Sequence, residues 1–383
     1  MRGICVLGCT GSIGDTAFSV LEGLADQYRV VGLAGGERLD RLIQRARRWR
    51  PDLVCVRRPE DRAKVQAALP GVRVLAGDEG LVELVEDEAV DLVLNALVGA
   101  VGLVPTVRAL RAGRTVAMAN KEPLVMAGAL VMQAAASDGA RLLPLDSEPS
   151  AIWQCLQGED RAAIRRLILT ASGGPFFGRR RDQLARVRPE EALAHPTWRM
   201  GAKITVDSAT LMNKGFEVIE ARWLFGVAPE CIEVVVHRES VVHSMVEFRD
   251  GSILAHLGRT DMALPIQYAL THPERRQAPV APLDLLALGQ LTFAAPDRES
   301  FPALDLCYEA LRRSGTAPIA LNAADELAVA AFLAGRLGFL DIHGVTEAVV
   351  EAAPAGEATT LDEVLAADAW ARRRAAEEIA RRH

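Results

Sequence analysis

Over its first third the chain alternates short β-branched runs, at residues 4–7, 30–33, 53–56, 72–75, 92–94, 115–119 and 141–145, with stretches of helical period. Strands separated by helices pair in parallel, and each crossover lays a helix on one face of the sheet. The pattern therefore predicts an α/β fold: a Rossmann-like, doubly wound parallel sheet. Later the pattern changes. Residues 167–170, 233–237 and 252–255 read as strands around a central helix, which predicts a mixed α+β domain. A passage with Pro265, Pro273, Pro279, Pro282, Pro296 and Pro302 reads as a linker, and from Leu304 onward the chain reads as a helical bundle. At 383 residues, more than one core is expected. The boundaries predicted are 1–146 for the first domain, 147–271 for the second, 272–298 for the linker and 299–383 for the C-terminal helical domain.

Half the residues are apolar, a quarter are charged and the net charge is -6, so no charge excess points to nucleic acid or a membrane surface. Arginine clusters at 179–181, at 45–50 and in the C-terminal ARRRAAEEIARRH read as solvated helix faces. The longest weakly polar run, 92–107, contains Asn95, two glycines and Pro105 and is too interrupted to span a bilayer. Six cysteines without a CxxC pair predict reduced, mostly buried thiols. No signal-peptide core precedes the first strand, and a cytoplasmic enzyme is expected.

The first strand runs into GCTGSIG at 8–14, with a helix expected from near Asp15. Strand, glycine turn and helix form the context of a dinucleotide site, although GxxGxxG is one residue longer than the usual spacing and a tight turn alone would look similar. Asp15 and Thr16 stand where a Walker loop needs Lys and Ser/Thr. At the end of the second strand, Gly35 and Gly36 are followed by Glu37 and Arg38. An arginine there can pair with a 2'-phosphate, which favours NADP; an exposed turn is the alternative. Asn120, Lys121 and Glu122 follow a further strand, where ligands bind in open sheets and where caps also occur.

Asp146 and Glu148 lie one residue apart in LPLDSEPSAIWQ and, joined by Glu217, would make three oxygen ligands suited to Mg2+ or Mn2+; helix capping at Ser147 or Glu148 competes. In TASGGPFF, Ser172 and two glycines can form a phosphate cradle or a plain turn. Finally, 195–220 concentrates His195, Trp198, Ser208, Asn213, Lys214 and Glu217. If 209–225 is helical, Met212, Phe216, Ile219 and Trp223 form a buried stripe and Asn213, Lys214 and Glu217 the opposite flank, free to hold an anion or simply solvated.

Taken in order, GCTGSIG, ANKEPL, LDSEPSAIWQ, SGGPF, HPTWRMG and VDSATLMNKGFEVIEARWLF resemble the 1-deoxy-D-xylulose 5-phosphate reductoisomerase family of the non-mevalonate isoprenoid pathway, and the likeness continues through LTFAAPD and ALNAADELAVAAFL. The resemblance implies an NADPH-dependent, divalent-metal-dependent enzyme (Mn2+, Mg2+ or Co2+) that isomerises and reduces a sugar phosphate, by a retro-aldol route or an alkyl shift, and works as a homodimer. It implies that Thr10, Gly11, Ser12, Ile13, Gly36, Arg38, Asn120, Glu122 and Gly201 contact NADPH. Asp146, Glu148 and Glu217 would hold the metal and, with Lys121, carry the chemistry. Substrate would be bound by Lys121, Ser147, Glu148, Ser172, His195, Trp198, Ser208, Asn213, Lys214 and Glu217. Trp198 and Met200 would belong to a closing flap, with Met262 lining the site. Departures from the family pattern are Pro123, Pro149-Ser150 and Arg38; both prolines fit the first turn of a helix. A metal-independent NADP oxidoreductase and a catalytically silent NADPH-binding protein are the competing readings.

Overall fold

The structure is a computed structural model that describes residues 1–382; His383, the end of the expected C-terminal domain, lies outside the described residues. The chain divides into two compact units, one of residues 1–123, 130–146 and 261–281, the other of residues 124–129, 147–260 and 282 onward.

In the first unit, β1 (Arg2–Leu7), α1 (Ser12–Glu22), β2 (Tyr28–Gly35), α2 (Leu39–Trp49), β3 (Leu53–Val56), α3 (Arg62–Ala68), β4 (Arg73–Ala76), α4 (Gly77–Glu86), β5 (Leu92–Asn95), α5 (Leu103–Arg111), β6 (Thr115–Met118), α6 (Glu122–Ala135) and β7 (Arg141–Pro144) alternate as the sequence predicts. The seven strands pair in parallel in the order β4-β3-β2-β1-β5-β6-β7. Ile4, Val6, Leu7, Val93 and Leu94 are fully buried, as in a sheet covered on both faces. Strand order reverses between β1 and β5, so the loops after these strands flank the switch point where such sheets take ligands. In α6, non-helical backbone at Ala127 (φ -146°) interrupts the helix inside the segment 124–129 that belongs to the second unit.

The second unit begins with α7 (Ser147–Cys155), β8 (Ile164–Ala171), the one-turn helices α8 (Arg181–Leu184) and α9 (Pro189–Ala192), α10 (Ala202–Thr210) and α11 (Met212–Phe225). It continues with β9 (Ile232–Val236), β10 (Val242–Phe248) and β11 (Ile253–Leu257). Its sheet has the order β11-β10-β8-β9, with β8 and β9 parallel and the other pairs antiparallel. The sequence expectation lacks β10. Its buried Val242, Val246 and Phe248 are interspersed with buried His243, Ser244 and Glu247, which breaks the apolar signal. Glu247 is tolerated there because Arg165 and Arg166 bond it at 2.7 and 2.6 Å.

The predicted continuous helix 209–225 is two helices. Leu211, at φ 64°, ends α10 and starts α11. The free flank expected on α11 is also corrected: Lys214 and Glu217 are as buried as Met212, Phe216 and Ile219, whereas Trp223 is only half-buried. The helix is enclosed because Gly215 lies against Cys307 of α14 (Ala303–Arg313), where a Cβ would stand 2.3 Å from the sulfur.

After β11 the chain returns to the first unit through α12 (Ala263–Thr271), which packs on α1 and is tied to the start of β2 by Tyr28 Oη donating to Leu270 O at 2.6 Å. The structural division thus places 261–271 with the first unit, not with 147–260. The proline-rich passage then carries α13 (Leu285–Leu288) and exchanges two backbone hydrogen bonds between Val236 and Ala294, so its second half is part of a packed unit. The helices α14, α15 (Ala317–Leu333), α16 (Phe339–Glu351) and α17 (Leu361–Arg382) close the chain. All six cysteines are free thiols, and burial pushes Cys9 and Cys55 up to about 12.

Candidate active site

In the first unit the glycine turn is shaped by close approach. Gly8 has φ 74°, and a Cβ there would meet Ala96 O at 2.2 Å; one on Gly14 would meet Cys9 O at 2.6 Å. Helix α1 starts at Ser12 and not near Asp15, because the turn closes within the motif when Gly11 N–H bonds Gly8 O. Gly11 caps the helix without a side chain, which leaves the first-turn N–H groups of Ser12 and Ile13 for an external acceptor at the positive end of the helix dipole.

Thr10 O accepts from Arg38 Nη1 at 3.1 Å and from Arg41 Nη1 at 3.2 Å, while Arg57 and Arg58 approach Glu37 Oε1 at 3.5 and 3.3 Å. The β2–α2 turn is therefore ringed by four arginines. Three of these the sequence reading missed; Arg41, one turn beyond Arg38 on α2, was the only one with a local signal. Gly36 lies under Arg57, whose Cδ would be 3.8 Å from a Cβ.

Asn120 and Glu122 are hydrogen-bonded to each other and buried, and Asn120 also donates to Gly99 O at 3.2 Å. Gly102 packs closely beneath them, and a Cβ there would displace the Asn120 amide. Buried Lys121 forms an ion pair with Asp146, which follows the end of β7. Met262, half-buried, precedes α12. Pro123 occupies the first turn of α6, as the sequence predicts.

In the second unit, Ser147 and Glu148 open α7, with Pro149 in its first turn, and the Ser147 hydroxyl donates to Glu148. Glu148 and Glu217 present oxygens within 4.8 Å of one another. Lys214 sits between them, 2.7 Å from Glu148 Oε1 and in hydrogen-bonding contact with Glu217. Burial alone would depress this ammonium, but the two carboxylates outweigh it and hold its pKa above the ordinary lysine value. Asn213 Nδ2 donates to Glu217 Oε1 at 2.7 Å. In the chain, Asp146 stands two residues before Glu148.

A separate group is centred on His195. Its Nε2 lies 2.9 Å from Ser172 Oγ and 3.1 Å from Ser208 Oγ, while Nδ1 accepts the backbone N–H groups of Thr197 at 3.2 Å and Trp198 at 2.9 Å. An Nδ1 that accepts two donors cannot carry the proton, so the imidazole is the neutral Nε2–H tautomer. Burial, reinforced by Arg238, lowers its pKa to about 4. Gly173 (φ 75°) and Gly174 (φ 64°) turn the chain beside Ser172, and Gly174 N–H donates to Ser172 Oγ at 3.2 Å. Half-buried Trp198 faces His243 with ring centroids 6.3 Å apart; Met200 is half-buried, and Gly201 is exposed ahead of α10. His243 and Arg238 were absent from the sequence reading. No motif marked them, since Arg238 lies just past the strand read at 233–237 and His243 lies on β10, which was not read.

A glycine turn at the switch point of a parallel sheet and, in the other unit, an acid–lysine cluster and a serine–histidine group together define an α/β protein of the Rossmann-containing enzyme class. Family profiles described as 1-deoxy-D-xylulose 5-phosphate reductoisomerase match residues 4–128, its C-terminal domain 142–225, and the DXP reductoisomerase C-terminal domain 257–374. The chain is 51% identical over 383 residues to 1-deoxy-D-xylulose 5-phosphate reductoisomerase of Anaeromyxobacter dehalogenans, covering 100% of this chain and 98% of that one. It is 50% identical over 386 residues to that of Symbiobacterium thermophilum, covering 99% of each. A crystal structure of DOX-P reductoisomerase in complex with NADPH, fosmidomycin and magnesium superposes with a TM-score of 0.95 at 42% identity, covering 99% of this chain and 98% of that one. The chain belongs to the 1-deoxy-D-xylulose 5-phosphate reductoisomerase family.

Proposed function

We propose that this protein converts 1-deoxy-D-xylulose 5-phosphate to 2-C-methyl-D-erythritol 4-phosphate, an isomerisation and reduction that uses NADPH and a divalent cation and supplies isoprenoid precursor synthesis. The observation that carries this reading is the Glu148–Lys214–Glu217 cluster, in which Lys214 and Glu217 are buried and Glu148 is half-buried. Two carboxylates held this close repel unless a cation or a proton lies between them, and an oxygen donor set of this kind suits a divalent ion. The related structure with NADPH, fosmidomycin and magnesium supports the same ligands here.

Asp146, Glu148 and Glu217 would hold the metal, Mg2+, Mn2+ or Co2+, which supplies Lewis acidity toward the ketone and neighbouring hydroxyl of the substrate. Thr10, Gly11, Ser12, Ile13, Gly36, Arg38, Asn120, Glu122 and Gly201 would bind NADPH, the source of hydride. Arg41, Arg57 and Arg58 join Arg38 in favouring a 2'-phosphate, and the last two offset Glu37. Lys214, Asn213, Ser172, Ser208 and neutral His195 grip the substrate phosphate, which keeps the reacting carbons in register through rearrangement. Lys121 and Ser147 orient the acids beside them and reach the substrate. Trp198 and Met200 close over the bound molecule to exclude water, with Met262 lining the site.

The domain roles proposed are nucleotide binding for 1–146, catalysis for 147–271, connection for 272–298 and support by 299–383. A homodimer is supported by β11. It is an edge strand whose Ile253, Leu254 and Leu257 are exposed, with Leu285, Leu286, Leu291 and Phe293 exposed on the following passage of the same unit. A cytoplasmic location is proposed; no helix among the described residues is long and apolar enough to cross a membrane.

The test is NADPH oxidation by the purified protein with 1-deoxy-D-xylulose 5-phosphate and Mn2+, repeated with excess chelator. Metal-dependent oxidation is expected. NADPH binding without turnover would leave only a nucleotide-binding role, and turnover insensitive to chelator would remove the metal.

A further inference from the structure

The turn that presents Ser172 is tied from behind by a cation that the proposed reaction does not employ. Arg238 Nη1 donates to Ser172 O at 2.5 Å and to Gly174 O at 2.8 Å, and its guanidinium lies 5.0 Å from the centroid of the Phe177 ring. Its neighbours in the chain are held on both sides. His237 N–H bonds Ala171 O at 2.7 Å, extending the β8–β9 pairing by one residue, and Glu239 bonds the Thr292 hydroxyl at 2.7 Å.

We propose that Arg238 is a positioning residue for the phosphate cradle: by gathering two carbonyls on one side of the Ser172–Gly174 turn it commits the donors of that turn to the other side.

The reasoning is stereochemical. A trans peptide points its C=O and its N–H in opposite directions, so holding Ser172 O toward Arg238 aims the Gly173 N–H away from it. Gly174 O belongs to a peptide whose nitrogen is Pro175, which has no proton; without Arg238 this turn would present an acceptor where an anion needs donors. The turn has no room for a side chain at Gly174, where a Cβ would stand 2.7 Å from Ser208 O. Ser172 Oγ receives Gly174 N–H and stands within reach of His195 Nε2–H, so its own hydroxyl proton is left to donate outward. One side chain thus sets the polarity of the whole cradle. Its charge is also felt at His195, where it adds to burial in keeping the ring neutral.

This inference rests on the reading of Ser172, His195 and Ser208 as a phosphate grip, and the experiment separates the two. KM and kcat for 1-deoxy-D-xylulose 5-phosphate, the inhibition constant of inorganic phosphate and the NADPH dissociation constant would be measured for the wild type, Arg238→Met and Arg238→Lys. Arg238→Met should raise KM and the phosphate inhibition constant together by about ten-fold, the scale of losing charge-assisted hydrogen bonds, with kcat within about two-fold. NADPH affinity should not change. Arg238→Lys, a charge without a fork, should recover only part of the loss. Unaltered KM and phosphate inhibition in both variants, with the wild type inhibited by phosphate, would overturn the role of Arg238 alone. A wild type that turns over substrate yet ignores phosphate would overturn the grip and this inference with it.

Discussion

His195 shows how much a single side chain can be constrained by its neighbours. Two backbone donors occupy Nδ1, two serine hydroxyls face Nε2, and its pKa of about 4 lies below the ordinary 6.5. Between these values the unfolded chain binds the extra proton, so the contribution of this residue to stability is complete above pH 6.5 and is lost as pH falls toward 4. The slope of melting temperature against pH over that window should flatten in His195→Gln, and nitrogen NMR of the wild type at pH 6 should show a neutral ring protonated on Nε2. A ring charged at pH 6 would contradict both. Glu217→Gln should abolish most turnover and weaken metal binding, measured by calorimetry, while NADPH affinity stays near normal; full activity would dismiss the carboxylate cluster as a metal site. Arg38→Ala should weaken NADPH far more than NADH, and an unchanged ratio would reduce Arg38 to a surface charge. At this scale the sequence was informative where chemistry demands rare residues together, as at 195–217. It was silent on Arg57, Arg58, Arg238 and His243, whose roles depend on neighbours distant in the chain.

Among the elements, α11 is where local expectation and structure part. Its periodicity was legible, but its start was not, because the break at Leu211 is a single residue in left-handed backbone with no glycine to announce it. Its enclosure was not legible either, since the covering helix α14 lies some ninety residues further on. The contact between them yields a prediction in which two effects oppose. Gly215→Ala gains about 1 kcal/mol of helix propensity but forces a methyl group against Cys307, whose own Cβ would be only 2.6 Å away and cannot rotate clear. Overpacking of this kind costs about 1–3 kcal/mol. A net loss is expected, seen as a lower urea midpoint at unchanged m-value; a raised midpoint would show that α11 and α14 part easily. The missed β10 has the same origin as the misjudged flank. Both bury charged groups that are satisfied by partners absent from the local window, Arg165 and Arg166 for Glu247 and the Glu148 carboxylate for Lys214.

For the molecule as a whole, the parallel sheet was legible because its strands, buried on both faces, read as near-continuous apolar runs. The assembly state can be probed at β11. Leu254→Lys, on an exposed edge position, should shift sedimentation from dimer to monomer with little change in thermal stability of the isolated chain; a wild type that sediments as a monomer would end the dimer proposal. The return of 261–281 to the first unit was hidden, since a proline-rich composition marks an irregular path without saying where it leads. The chain passes between its two units at 123/124, 129/130, 146/147, 260/261 and 281/282, so neither unit is a continuous stretch of polypeptide. No single cut frees one of them, and no simple fusion could lend either to another protein. A fold threaded in this way has to be passed on as one piece.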